Sequence, residues 1–238
     1  MVFARNTAMG FNRWADWRID AENPRTATRE IPAGRVSPRS AAWFVAINAL
    51  LFIGVAATIN PLCGWLSPVA LFIIMFYSYC KRFTSLAHIV LGVSLGIAPV
   101  GAYMAVAGHD TTLCWLLAAV VTTWCAGFDI IYALQDAAFD RERGLHSIPS
   151  RFSARTSLII SALLHLTSVA LLLIVARYMP QTWLLWTGCS LFSLILLLEH
   201  ILVTPTKQRN IGIAFGNLNA MASVSLAVCL IANLLIYG

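Results

Sequence analysis

Charged side chains are scarce in this chain of 238 residues, which has 16 Lys and Arg and only 10 Asp and Glu. Soluble globular domains carry roughly a quarter of their residues as Asp, Glu, Lys and Arg, whereas the share here is 11%. Hydrophobic residues make up 59% of the chain, and its mean hydropathy is +0.77. This composition excludes an ordinary soluble domain and indicates a protein embedded in a membrane.

Other signals are also missing. The sequence has no sustained apolar–polar alternation, which argues against a membrane β-barrel. The six cysteines form no C-x-x-C pair and lie mostly in apolar runs, so we interpret them as small packing residues. The histidines at 88, 109, 146 and 165 show no metal-ligand spacing, and a structural or surface role is expected for each.

Long hydrophobic runs are what the chain has instead. A bilayer core is crossed by about 20 helical residues, and seven runs approach or exceed that length. Gly, Pro and single polar residues interrupt several of them, which membrane helices tolerate when neighbouring helices satisfy the freed backbone groups. We therefore predict one polytopic helical membrane domain over 1–238, with spans at 41–59, 64–79, 86–107, 113–135, 157–177, 182–203 and 211–236.

The positive charge is distributed by topology. Fifteen of the sixteen Lys and Arg fall in 1–40, 81–82, 141–155 and 204–210, which alternate span assignment places on one side; Arg177 is the exception. The positive-inside rule places these segments in the cytoplasm and the C-terminus on the opposite side. The net charge of +6 thus orients the protein and can attract anionic substrates, and nucleic acid is not an expected partner.

Two aspartate-rich segments stand out against this background and contain five of the ten acidic residues. The first lies in the Arg-rich segment 1–40, expected to be mostly loop with one or two helical turns over 7–20. The second leaves the span 113–135 and enters the cytoplasmic loop 136–156. The segments are Asn12-x3-Asp16-x3-Asp20 and Asp129-x6-Asp136-x3-Asp140.

Four-residue steps place side chains on one face of a helix. Each segment is therefore expected to form a ladder of oxygen ligands, and Mg²⁺ is commonly held by one or two carboxylates together with substrate phosphates. Arg25, Arg29, Arg141 and Arg143 could bind the remaining phosphate oxygens. One such cluster alone could be a helix end whose acids pair with arginines. Two clusters on one side, with Asp129 deeper than the helix end, favour a functional site.

In combination and order, these motifs resemble those of the UbiA-type superfamily of intramembrane prenyltransferases, over essentially the whole chain. The matching pieces are the Asn12–Asp16–Asp20 motif, Arg25-Thr26-x-x-Arg29 leading into Pro32-Ala33-Gly34-Arg35, Tyr77-x-x-x-Lys81-Arg82, the Asp129–Tyr132–Asp136–Asp140 motif, Glu199-His200 and Asn217-Leu218-Asn219.

The resemblance implies a nine-helix bundle with two Asp-rich loops at the cytoplasmic mouth of a central cavity. The seven spans here would then correspond to helices three to nine. On this basis we expect the chain to lack the first helix and most of the second, through either a misplaced start or a truncated gene.

The resemblance also implies an activity and a set of roles. The expected reaction is Mg²⁺-dependent transfer of a polyprenyl group from polyprenyl diphosphate to an aromatic acid. The implied roles are catalytic for Asp16, Tyr132 and Asp136; metal-binding for Asn12, Asp16, Asp20, Asp129, Asp136 and Asp140; diphosphate-binding for Arg25, Arg29, Lys81, Arg82 and Arg141; and possible site roles for Glu199, Asn217 and Asn219.

The acceptor stays open. The stretch 29–34 looks like that of 4-hydroxybenzoate polyprenyltransferases, which favours 4-hydroxybenzoate as the acceptor. A dihydroxynaphthoate in a menaquinone route is the alternative acceptor. Prenylation of protohaem or of a chlorophyll-type acceptor is a weaker alternative. An inactive fragment and an ion-coupled transporter are the alternatives of other classes. The expected setting is the inner or plasma membrane of a prokaryote; beyond the substrates and the bilayer, no protein partner can be inferred.

Overall fold

The computed structural model describes residues 1–206 and 210–238, and the regular structure in them is helical. Seven helices are long and apolar enough to cross a membrane, which confirms the predicted class. The elements are α1 (Val2–Ala15), α2 (Trp17–Glu22), α3 (Pro38–Ile59), α4 (Pro61–Cys80), α5 (Ala87–Ala107), α6 (Thr112–Ala133), a 3₁₀ turn (Leu134–Asp136), α7 (Ala137–Glu142), α8 (Ile148–Arg151), α9 (Ala154–Ala176), α10 (Trp183–Leu202), a π-helical turn (Ile213–Leu218) and α11 (Asn219–Tyr237).

Local sequence signals set several helix boundaries. The side chains of Ser37 and Asn60 accept hydrogen bonds from the backbone N–H groups of Ser40 and Cys63, at 3.0 and 2.8 Å. Each of these caps is followed by a proline, which suits the first helical position because that residue needs no N–H partner. At the end of α5, Gly108 adopts φ 73°, the left-handed conformation in which helices often stop.

α6 is the central helix of the bundle. It packs against α5 on one side and α9 on the other, and α10 and α11 complete the second half. The side chains of Leu172, Leu185 and Phe192 are almost fully buried in the core that these helices form. The second aspartate segment thus begins at Asp129 on this central helix and continues through the 3₁₀ turn into α7.

The packing of α5 on α6 depends on a close backbone approach at Gly92. A Cβ atom there would lie 2.3 Å from the carbonyl oxygen of Thr122, so the helices would have to move apart. We expect Gly92→Ala to destabilise the protein by about 1–3 kcal/mol, seen as earlier thermal unfolding in detergent. Gly101→Ala is the control, because a Cβ at that position of the same helix meets nothing within 4 Å. Equal unfolding temperatures for the two variants would contradict this account.

The N-terminal segment is more helical than the sequence indicated. The expectation of a mostly looped head with one or two turns over 7–20 was wrong, because α1 and α2 together cover most of the first 22 residues. Tertiary packing explains the difference: α1 lies against α3 and α4, Thr7 is fully buried, and Phe11 makes an edge contact with Tyr79. This packing brings the first aspartate segment to the end of the bundle where the second one leaves α6.

Candidate active site

A cleft at this end of the bundle brings the two aspartate segments together. It contains about 790 Å³ of empty space when the solvent at its open mouth is included. All six predicted metal ligands and four of the five predicted diphosphate-binding residues line it. These are Asn12, Asp16, Asp20, Asp129, Asp136 and Asp140, with Arg25, Arg29, Lys81 and Arg82; Tyr132 lines it as well.

Each aspartate segment bends at its middle residue. Asp16 lies between α1 and α2 with φ −104° and ψ 8°, and Asp136 precedes α7 with φ −102° and ψ 2°. Both conformations fall in the bridge region, where many active-site residues are found. Neither predicted ladder therefore follows one continuous helix, and the same backbone geometry presents a carboxylate from each side of the cleft.

Every aspartate in the cleft lies next to a basic group. Asp16 lies 3.0 Å from Arg82, Asp20 lies 2.8 Å from Arg29, and Asp136 lies 2.5 Å from Arg25. Asp140 lies 3.7 Å from Lys81, and Asp129 lies 2.6 Å from His88. Negative and positive groups are thus interleaved, so one surface offers ligands both for cations and for phosphate oxygens.

Arg25 joins the two halves of the cleft. Its Nε and Nη2 donate to the two carboxylate oxygens of Asp136, at 2.8 and 2.5 Å, and its Nη1 donates to the hydroxyl of Tyr132 at 2.7 Å. The guanidinium also lies 5.1 Å from the centre of the Tyr132 ring. On the bundle side that ring packs against Phe215, with 4.1 Å between centroids. The polar floor of the cleft therefore meets an aromatic wall at Tyr132.

Asp16 is electrostatically unusual. Burial raises the pKa of Asp16 above its ordinary value, although the hydrogen bond and positive charge of Arg82 act in the opposite direction. An additional cation close to Asp16 would favour its ionised form. The carboxylate is therefore suited to binding a positive ligand.

The carboxylates fit Mg²⁺ when it arrives with a phosphate. Among residues 1–206 and 210–238, no three Asp, Glu, His or Cys side chains are grouped closely enough to hold an ion by themselves. Mg²⁺ does not need such a cage, because it usually takes one or two carboxylates and completes its shell with waters and phosphate oxygens. The Oδ2 atom of Asp140 is buried without a hydrogen bond, and Nζ of Lys81 lies 3.7 Å from it, beyond hydrogen-bond distance, so this oxygen can still accept a ligand.

Four predicted site residues lie outside the cleft. Arg141 donates to the carbonyl oxygen of Ser150 at 3.1 Å, so its side chain binds α8. Glu199 is fully buried, with His165 at 3.9 Å. Asn217 is exposed, and Asn219 receives a hydrogen bond from the indole of Trp124 at 2.8 Å. The structure does not bring these four together with the aspartates.

Two contacts in the site were missed by the sequence reasoning. Asn23 donates from Nδ2 to Oδ1 of Asp136 at 3.0 Å and thereby supports that carboxylate beside Arg25. Its position two residues before Arg25 was the available signal. His88, expected to be generic, is hydrogen-bonded to Asp129. Nothing in its sequence spacing marks it, because the two residues lie on different helices.

Seven membrane helices with a cleft of interleaved carboxylates and basic groups define a multi-pass membrane protein with a polar site at one end of the bundle. The UbiA prenyltransferase family matches residues 1–235, so the chain belongs to that family and is a prenyltransferase.

Relatives of known name support this assignment. The chain is 32% identical to the 4-hydroxybenzoate octaprenyltransferase of Yersinia enterocolitica over 87% of its own length and 70% of the relative's. With the enzyme of the same name from Xylella fastidiosa the identity is 32%, over 86% of this chain and 68% of that one.

Two solved structures are similar as well. A UbiA homologue from Aeropyrum pernix, solved in the apo form, has a TM-score of 0.89 and 32% identity, over 98% of this chain and 86% of the other. A UbiA homologue from Archaeoglobus fulgidus bound to GPP and Mg²⁺ has a TM-score of 0.65 and 20% identity, over 94% of this chain and 84% of the other. The second likeness concerns the fold alone.

Proposed function

We propose that the chain transfers a polyprenyl group from a polyprenyl diphosphate to an aromatic hydroxy-acid of the 4-hydroxybenzoate type, with Mg²⁺, and releases diphosphate. The observation that carries the proposal is the cleft in which the two bent aspartate segments meet the basic groups of Arg25, Arg29, Lys81 and Arg82. The names of the relatives supply the substrate class. A dihydroxynaphthoate is the alternative acceptor, because it too is an aromatic carboxylate activated by a hydroxyl group.

The side chains of the cleft divide between the two charges of such a substrate. Asp16, Asp20, Asp136 and Asp140 would hold the metal, with Asn12 and Asp129 as further oxygen ligands. Mg²⁺ bound there would neutralise the diphosphate and stabilise it as a leaving group. The four basic side chains would bind the phosphate oxygens, for which the planar forks of Arg25 and Arg29 are suited.

In this proposal the prenyl carbon reacts next to Tyr132. In the transfer the C1–O bond of the donor breaks, a bond forms between C1 and a ring carbon of the acceptor, and that ring carbon loses its proton. The Tyr132 ring, between Arg25 and Phe215, could stabilise the allylic cation through its π face. The apolar bundle below would keep water from this cation, which water would otherwise convert to an alcohol.

An assay on sealed vesicles tests acceptor, metal and orientation together. Inverted membrane vesicles that contain the chain should join labelled geranyl diphosphate to 4-hydroxybenzoate, lose this activity in EDTA and recover it with Mg²⁺. Right-side-out vesicles should be inactive, because the positive-inside rule predicts that the cleft faces the cytoplasm, out of reach of an external diphosphate. A product with 1,4-dihydroxy-2-naphthoate instead would favour the alternative acceptor, and no product with either would contradict the proposal.

A further inference from the structure

His88 lies at the meeting point of three elements. Near the start of α5 it is fully buried, and its Nδ1 is 2.6 Å from Oδ2 of Asp129 in α6. Its Nε2 is 3.2 Å from the backbone nitrogen of Ile148, the first residue of α8. Both ring nitrogens are therefore engaged, one by a cleft carboxylate and the other by the backbone at the start of α8.

These two contacts fix the tautomer of His88. A backbone N–H group can only donate, so Nε2 must accept from Ile148 and cannot carry a proton. The ring proton is then on Nδ1, which donates it to Oδ2 of Asp129. Each contact has a single possible direction, and the ring is fixed between a donor on one side and an acceptor on the other.

The hydrogen bond from His88 determines how Asp129 faces the cleft. In the described residues, only Oδ2 of Asp129 is engaged by a hydrogen bond, and Asp129 lines the cleft while remaining 8% exposed. With Oδ2 tied to the ring, Oδ1 is the oxygen left for a ligand. Hydrogen bonds of this kind orient the carboxylates of metal sites and limit the conformations they can adopt.

A second backbone contact holds the segment just before α8 at the same place. The backbone N–H of His146 donates to the carbonyl oxygen of Lys81 at 2.6 Å, two residues before the contact between Ile148 and His88. Lys81 is itself within 3.7 Å of Asp140. The segment just before α8 and the turn after α4 are therefore joined next to the second aspartate segment.

We propose that His88 is a positioning residue: it holds the carboxylate of Asp129 in the orientation that binds the metal–diphosphate substrate. This inference rests on the proposed metal role of the cleft. The part that matters for binding is the donor at Nδ1, and the acceptor at Nε2 serves to fix the ring.

Two amide substitutions separate the two nitrogens. In His88→Asn the amide nitrogen can occupy the place of Nδ1 and donate to Asp129, while the acceptor for Ile148 is lost. In His88→Gln the amide oxygen can occupy the place of Nε2 and accept from Ile148, while the donor to Asp129 is lost. Both variants lose the buried ring, so any general effect of replacing it is common to the two. They differ only in which hydrogen bond is kept, so a difference in binding between them reports on the hydrogen bond to Asp129.

Binding is measured without turnover, from the decrease in the electron paramagnetic resonance signal of free Mn²⁺ when purified protein is titrated in the presence of geranyl diphosphate and no acceptor. We expect His88→Gln to raise the half-saturating Mn²⁺ concentration by about 10- to 100-fold. His88→Asn should stay within about threefold of the unaltered chain on the same grounds. His109→Gln, in the exposed loop at the opposite end of the bundle, is the control and should bind as the unaltered chain does.

The outcomes are distinguishable. No diphosphate-dependent Mn²⁺ binding by the unaltered chain would overturn the metal site, and this inference with it. If the unaltered chain binds Mn²⁺ normally and both variants lose the same amount of Mn²⁺ affinity, His88 has only a structural role. If neither variant loses Mn²⁺ affinity, His88 does not contribute to the site. Either result would overturn the inference and leave the proposed function intact.

Discussion

Asp136→Ala is expected to reduce turnover by at least about 10³-fold, the upper range for removing a single stabilising group from an active site. Asp136 receives hydrogen bonds from Asn23 and Arg25 at the bend of the second aspartate segment. Its loss would remove a proposed metal ligand and leave the Arg25 guanidinium without its carboxylate. The measurement is product formation from labelled geranyl diphosphate at saturating Mg²⁺.

Asp16→Ala should have an effect of similar size, because Asp16 occupies the matching bend of the first segment. Membrane insertion should be unchanged in both variants, since the apolar spans are untouched. Asp110→Asn is the control: Asp110 is exposed at the opposite end of the bundle, where it accepts a hydrogen bond from the indole of Trp115 at 2.7 Å. Activity retained in both Asp16→Ala and Asp136→Ala would refute the assignment of the carboxylates to the metal.

The second large effect is expected at Arg25. Arg25→Lys keeps the positive charge but loses the planar fork that reaches both oxygens of Asp136 and the hydroxyl of Tyr132. A hydrogen bond to a charged group contributes about 1.5–3 kcal/mol, so the loss of one such bond to diphosphate should raise the KM for the prenyl donor about 10- to 100-fold. The KM for the aromatic acceptor should change much less.

Arg143→Lys provides the comparison for Arg25→Lys. Arg143 was also expected to bind phosphate, but it does not line the cleft. It pairs with Glu22 at 2.7 Å, and both side chains are about half exposed. Exposed pairs of this kind contribute little to stability, so the KM for the donor should stay within about twofold of its normal value on that basis. A rise in KM as large as that for Arg25→Lys would mean that general charge at the mouth of the cleft, and not the fork of Arg25, binds the diphosphate.

Much of the fold could be predicted because membrane helices are local structures. A helix satisfies its own backbone hydrogen bonds, and a length of about 20 apolar residues is set by the bilayer. The predicted span 41–59 therefore lies inside α3, and 86–107 differs from α5 by a single residue. The N-terminal helix was underestimated because its stability comes from packing on α3 and α4, which a local pattern does not contain.

The site could be predicted in its composition but not in its connections. Charged residues are rare in this chain, so the recurrence of Asp at helical spacing was informative without a structure. Spacing gave each segment as a ladder on one helix face, and the place of Arg141 just beyond the second segment, together with the resemblance, assigned it to the diphosphate. The structure bends the ladders at Asp16 and Asp136 and turns Arg141 towards the carbonyl oxygen of Ser150.

By itself the sequence determined the membrane class, the seven spans and the residues from which a metal and diphosphate site could be built. Only the tertiary structure decided which of them meet. Arg25 binds Asp136 across 111 positions of the chain, and His88 binds Asp129 across 41. Such pairings depend on how separate helices pack together, whereas hydropathy and helical spacing report on each segment alone, and this is the physical reason that His88 could be recognised only after the bundle was assembled.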